Sequence, residues 1–339
     1  YKPHEAGGPF HLINVVVNQT VEFSSQRGNM DRQGESLAVS CLAVSVGRRW
    51  HSLWADAAGA EGSCPAVTRP SRLVPVGHVP GDSHPLLDEA GRPADRAEML
   101  SLRQWVGISG AAVGPGRGQN TALGTALLFG LANVRTGYWW NSRITEAARE
   151  GFPRLTFLRR LLYVLPSFFH TQSLLLYEWV ARFAGPWEQY WNLSDGGFFE
   201  NLGGYELVRR RVPRIILCDG GADPAYEFQD FAEFVRKVRI DFDAHVTPFS
   251  EAELNRHVPA PVASFIGQPD DLRPDSKDRK HAALYWIDYG DATRPKQRSV
   301  LLYLKASVTG DEDDDIRNYV ATHGEFPHEA TGDQVFDEA

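Results

Sequence analysis

Apolar and polar positions follow two rhythms along the chain. Residues 10–18, FHLINVVVN, form an apolar, β-branched run that predicts a buried strand. Residues 101–113, SLRQWVGISGAAV, place apolar side chains at Leu102, Trp105, Val106 and Ile108, a helical spacing, before a Gly-rich turn, GPGRGQN. The next segment, TALGTALLFGLANV, predicts another helix, and residues 155–184 predict a strongly apolar helical pair broken by Arg159, Arg160, Pro166 and His170. No stretch reaches the roughly 18–20 uncharged residues of a membrane span, so the pair reads as core helices, with a membrane-facing or acyl-binding surface as the sharper alternative.

From residue 190 the order is regular. A short strand at 190–194 precedes a helix at 201–211, with Asn201 as its N-cap and Arg209, Arg210 and Arg211 at the end where cations suit the dipole. A buried strand at 214–218, an amphipathic helix at 228–238 and strands near 283–289 and 299–307 follow. Strands alternating with helices imply an α/β fold with a layered sheet. The Gly, Pro, Ala and Asp-rich text at about 55–95 reads as an irregular insertion in a single domain spanning 1–339, and no internal repeat is visible.

Composition narrows the function. Hydrophobic residues at 42% and charged residues at 23% fit a globular protein. The net charge of -8 argues against a general nucleic-acid binder, which needs a basic surface, but leaves room for membrane contact through a local patch. Three cysteines, Cys41, Cys64 and Cys218, show no metal-type pairing; Cys218 ends an apolar run and is expected as a buried thiol. A reducing compartment follows, the cytoplasm or the cytoplasmic face of a membrane.

The chemistry concentrates in two Asp-Gly-Gly sequences, NLSDGGFFENLGG around Asp195 and CDGGADP around Asp219. Asp195 is placed at the carboxyl end of a strand, where open α/β sheets bind ligands. Gly196 and Gly197 permit unusual backbone angles and close approach of a second segment. Burial against Phe198, Phe199 and Trp191 would raise the carboxyl pKa toward that of a useful base. A strand-Asp-Gly-Gly turn is also a common structural turn, and for Asp219 that reading, a turn or hydrogen-bonding residue beside the site, is preferred.

The run NLSDGGFFENLGGYELVRRRVPRIILCDGGADP resembles the C-terminal signature of bacterial patatin-like phospholipases, which are similar to the group IV cytosolic phospholipases. PFHLINVVVNQT, WVGISGAAVGP, FGLANVRTGYWW and GEFPHEATGDQVFDEA resemble family segments in the same order. The resemblance implies a layered α/β/α sheet of patatin-like (lysophospholipase-like) type, incomplete at its N-terminus. It also implies a lipid acyl hydrolase working through a Ser–Asp dyad without histidine, metal or cofactor, on a phospholipid or other acyl-ester lipid. Asp195 carries over as the dyad base, with Gly196 and Gly197 completing its motif. The other reading is a non-catalytic lipid-binding or interaction domain that keeps the fold.

The nucleophile is less plain. Ser109 in GISGA imitates a G-x-S-x-G elbow with Ala111 in place of the last glycine, but the residues before it have helical rather than strand spacing. The resemblance places the family serine and its glycine-rich oxyanion loop earlier in the polypeptide. The expectation is therefore that this chain begins after the nucleophile, with Ser109 as the alternative. Other candidates read as structural. GDEDDD at 310–315 is an acidic cap for the helix IRNYVATHG rather than a calcium loop. His323 and His328 are packed or surface residues, and nothing ties His170 or His281 to Asp195. Tyr138, Trp139, Trp140, Trp187, Tyr190 and Trp191 are chiefly core, with an acyl channel or interfacial belt as their functional alternative.

Overall fold

Strand β1 (Ile13–Asn18) is buried along nearly its whole length, as a run of isoleucine and valine without charges requires. It forms the spine of the first of two sheets in the computed structural model, which describes residues 7–21, 32, 34–41, 43–47, 50–54, 73–75, 84–85, 100–142, 169–290 and 298–330. These fall into two compact units, Tyr1–Phe199 and Glu200–Ala339. The class is mixed α/β, with seven α-helices among the described residues.

In the first unit, β2 (Gly34–Val39), β3 (Ala43–Val46), β4 (Trp50–Trp54) and β5 (Leu73–Pro75) lie successively on one side of β1. β8 (Tyr190–Asp195) and then β7 (Tyr138–Asn141) lie on the other, and the two-residue β6 (His84–Pro85) pairs with β4. Every pairing here is antiparallel except β4 with β6. Period-two side chains Val15, Val17, Leu37, Val39, Val44 and Val46 form one apolar face, and α1 (Leu102–Ser109) covers it with Trp105 and Ile108. Three tryptophans close the core edge to face, Trp105 to Trp140 at 5.6 Å and Trp140 to Trp191 at 5.3 Å. Ser101 starts α1 with a capping box, accepting from the Gln104 N–H while the Gln104 side chain accepts from the Ser101 N–H. Two more helices, α2 (Leu123–Leu131) and α3 (His170–Trp179), complete the unit.

The second unit carries β9 (Arg214–Asp219), β10 (Ala244–Pro248), β11 (Ile266–Gly267), β12 (Ala282–Tyr289) and β13 (Arg298–Lys305), ordered β10-β12-β13-β9 with β11 beside β12. Here β9 and β13 are parallel, with Asp219 opposite Lys305 at their shared carboxyl end. The helices are α4 (Tyr205–Arg209), α5 (Gln229–Phe242), α6 (Glu251–His257) and α7 (Asp314–Thr322).

Three local expectations change. The helix predicted at 201–211 is confined to α4, and Asn201 does not cap it. The buried Glu200 carboxylate does that work, accepting from the Leu202 N–H at 2.6 Å and the Tyr205 N–H at 3.0 Å, while Asn201 donates to Asp230. Strand β9 alternates instead of being buried on both faces, so Ile215 and Leu217 point inward and Cys218 is exposed, not a buried thiol. Of the helical pair predicted at 155–184, residues 155–168 lie outside the described residues, as does most of the insertion at 55–95. Asp314 and Asp315 do occupy the first turn of α7, as the acidic-cap reading requires.

Candidate active site at the first Asp-Gly-Gly

Asp195 is the last residue of β8, paired with Val15 of β1. Asp195 thus stands at the carboxyl end of its strand as expected, although its neighbours β1 and β7 run antiparallel to β8. The chain turns immediately into a 3₁₀ turn, Gly196–Phe198, with the Asp195 side chain accepting the Gly197 N–H at 2.8 Å through Oδ1. The other oxygen, Oδ2, has no hydrogen-bond partner among the described residues. Burial pushes the Asp195 carboxyl above its ordinary value, and the single bond from the Gly197 N–H offsets this only in part.

The glycines are explained by space. Neither Gly196 nor Gly197 has positive φ, so conformational freedom is not what position 196 needs. A Cβ on Gly196 would sit 2.5 Å from the Asn14 carbonyl oxygen and 2.8 Å from its carbon, and backbone cannot yield as a side chain would. The same carbonyl accepts the Ser109 hydroxyl at 2.7 Å. Ser109 thus reaches the Asp195 motif from the end of α1, but donates to backbone and not to the carboxylate, and it stands on a helix rather than on a strand-to-helix elbow.

No protein-family model, curated protein or solved structure matches this chain. The site therefore rests on its own geometry. A buried amide cluster steadies it. Asn18 donates to Asn192 Oδ1 at 2.8 Å and to Ser194 Oγ at 2.9 Å, and its own carbonyl oxygen accepts the Gly118 N–H at 2.8 Å. These bonds hold the Gly-rich turn against β8; a Cβ on Gly116 would overlap both asparagine side chains. The turn carries Arg117, whose guanidinium lies 5.3 Å from the Phe198 ring centroid with its buried Nε unpartnered among the described residues. Sequence reasoning missed Asn14, Asn18, Asn192 and Arg117. A polar residue ending an otherwise β-branched strand, as Asn18 does, was the available signal.

Asp219, the other aspartate singled out, is differently employed. Its Oδ1 accepts the Gly221 N–H at 3.0 Å, and its Oδ2 accepts from the Tyr303 hydroxyl and from Lys305 Nζ, the latter at 3.2 Å. Lys305 also pairs with Asp223 at 3.3 Å. Asp219 is thus a hydrogen-bonding residue at the end of β9.

The remaining candidates are packed. His328 is buried, with its two ring nitrogens on the Asp223 and Ala306 carbonyls, and His323 stacks on Tyr319 at 3.7 Å. His281 is engaged by Ser307 and Thr309. Trp140 and Trp191 are core, Tyr138 packs against them, Tyr190 meets Asn141, and Trp139 donates to Glu178 at 2.7 Å. The side chains of His170 and Trp187 lie outside the described residues. Among the described residues no group of three or more His, Cys, Asp or Glu side chains could hold a metal.

Proposed function

We propose that this chain is the base-bearing part of a patatin-like lipid acyl hydrolase, with Asp195 as the base of a Ser–Asp dyad. One observation carries the reading: a carboxyl group raised by burial, with one oxygen held by a backbone N–H and the other unengaged among the described residues. Such a group is oriented, basic and available. It would take the proton of a serine hydroxyl as the oxygen attacks the acyl carbonyl of a phospholipid or related ester. The leaving alcohol would recover that proton, and water activated by the same carboxylate would release the fatty acid from the acyl-serine. The Arg117 guanidinium, beside Phe198 of the turn after Asp195, is the donor proposed for a substrate phosphate or a developing oxyanion.

The layered patatin-like topology and action at the cytoplasmic face of a membrane belong to the same proposal. A second reading, a non-catalytic lipid-binding domain, is favoured by the engagement of the Ser109 hydroxyl with Asn14 instead of Asp195.

A fluorophosphonate probe separates the two. In the protein that carries the dyad serine, the dyad reading expects that one serine to be labelled, peptide mapping to locate it, and Asp195→Asn to suppress the labelling. Labelling and ester turnover unchanged by Asp195→Asn would remove Asp195 from the chemistry, and labelling at Ser109 would overturn the reading of its hydroxyl as structural.

A further inference from the structure

Helices α2 and α3 are amphipathic the wrong way round for a water-facing pair. On α2 the buried side is made of Ala126 and Gly130, while Leu123, Leu127, Leu128 and Leu131 are exposed, Leu128 by 63% and Leu131 by 72%. These four positions fall on one face of the helix. On α3 the buried side chain is a glutamate, Glu178, held by the Trp139 indole and by Arg135 at 3.6 Å, while Leu176, Trp179 and Val180, just beyond the helix end, are exposed. The two helices pack through Gly130, where a Cβ would overlap the Trp179 ring. Small and charged residues thus face inward, and leucines face out. Twelve of the eighteen large apolar side chains exposed among the described residues lie in segments 102–134 and 169–180. A contiguous exposed apolar face of this kind marks a docking surface.

Charge identifies the occupant. The described residues 100–142 and 169–182 hold four arginines against one glutamate and no lysine or aspartate, a net of +3 within a chain of -8. Glu178 is the one acid in the described residues 100–142 and 169–182, and it is buried. Arg135 follows α2 and Arg182 follows α3, with side chains 28% and 32% exposed; each pairs with a glutamate at 3.6 Å, Arg135 with Glu178 and Arg182 with Glu188, and Arg182 lies against the Tyr177 ring. A charge-free leucine face flanked by arginines and aromatic rings is complementary to the apolar and anionic layers of a bilayer surface. We infer that the α2–α3 face docks on an anionic lipid surface, inserting its leucines among the acyl chains. The argument uses none of the Asp195 chemistry and stands whether or not the protein cleaves esters.

The test is sedimentation of the 339-residue chain with vesicles of non-hydrolysable ether-linked phosphatidylcholine, with and without ether-linked phosphatidylglycerol. Binding to the anionic vesicles is expected, weakening as salt rises. Leu128→Glu/Leu131→Glu should reduce partitioning on the order of tenfold per leucine at an unchanged melting temperature. Leu128→Gln/Leu131→Gln serves as the milder pair if the glutamates impair folding. No sedimentation with anionic vesicles, equal sedimentation with zwitterionic ones, or undiminished binding by the leucine variants would overturn the inference. So would a change of oligomeric state in those variants without vesicle binding, which would make the face a self-association surface.

Discussion

The two Asp-Gly-Gly loops begin alike and end differently. In each, the aspartate closes a strand and its Oδ1 accepts the N–H of the glycine two residues on, at 2.8 Å for Asp195 and 3.0 Å for Asp219. The difference lies in the second oxygen. That of Asp219 is taken by Tyr303 and Lys305, whereas that of Asp195 has no partner among the described residues and its carboxyl is held above its ordinary value by burial. A turn motif fixes the orientation of a carboxylate; whether the group is structural or reactive depends on what meets its free edge.

Exchanging carboxylate for amide at the two positions breaks the comparison most sharply. Under the dyad reading, and in the protein that carries the dyad serine, Asp195→Asn lowers ester turnover about 10²–10⁴-fold, while Asp219→Asn leaves turnover per folded molecule near the parent value. Parallel assays scaled to folded protein check this, and equal losses would erase the distinction. Next in size is Lys305→Met, which leaves Asp219 buried without its cation and should cost about 3–5 kcal/mol in urea unfolding.

The glycines sharpen the contrast further. Gly196→Ala drives a Cβ into the Asn14 carbonyl and should cost about 1–3 kcal/mol, whereas Gly220→Ala meets nothing within 4 Å and should stay within about 0.5 kcal/mol. Thermal melts of the two variants give the order directly.

The smallest effect is in pH. The Asp195 carboxyl is raised above 3.8, so its stabilising contribution is present below the unfolded pKa and lost as pH rises through the folded value. Asp223, in the second loop, is the reverse. Burial alone would raise it, but the Glu227 and Phe228 N–H groups and Lys305 together lower it, so its contribution holds above 3.8 and fades as pH falls through the folded pKa. Asp195→Asn should therefore raise the neutral-pH melting temperature and Asp223→Asn should lower it, both differences shrinking in acid.

Much of the architecture was legible because it rests on periodicity. β1, α1, α2, β8, α5, β12 and β13 all coincide with runs whose apolar spacing was unambiguous. What was not legible depended on partners distant in sequence. Alternation of strands and helices implied one layered sheet, but strand direction is set by pairing, and β8 lies antiparallel between β1 and β7. The parallel carboxyl edge formed instead at β9 and β13, which brought Lys305 to Asp219 across 86 residues. Cys218 was misread for a related reason: β9 is covered on one face, and an apolar run cannot reveal that. At Gly196 the residue was anticipated but half of its rationale, the unusual backbone angle, gave way to close approach alone.

A single oxygen on the central strand, the Asn14 carbonyl, seats both the final hydroxyl of α1 and the first glycine after Asp195. Helix and loop are thereby indexed to one atom, so displacement of the helix tip would be felt at the carboxylate without passing through any side chain between them. Alignment of the site is inherited from the strand itself, whose five residues besides Asn14 are all buried.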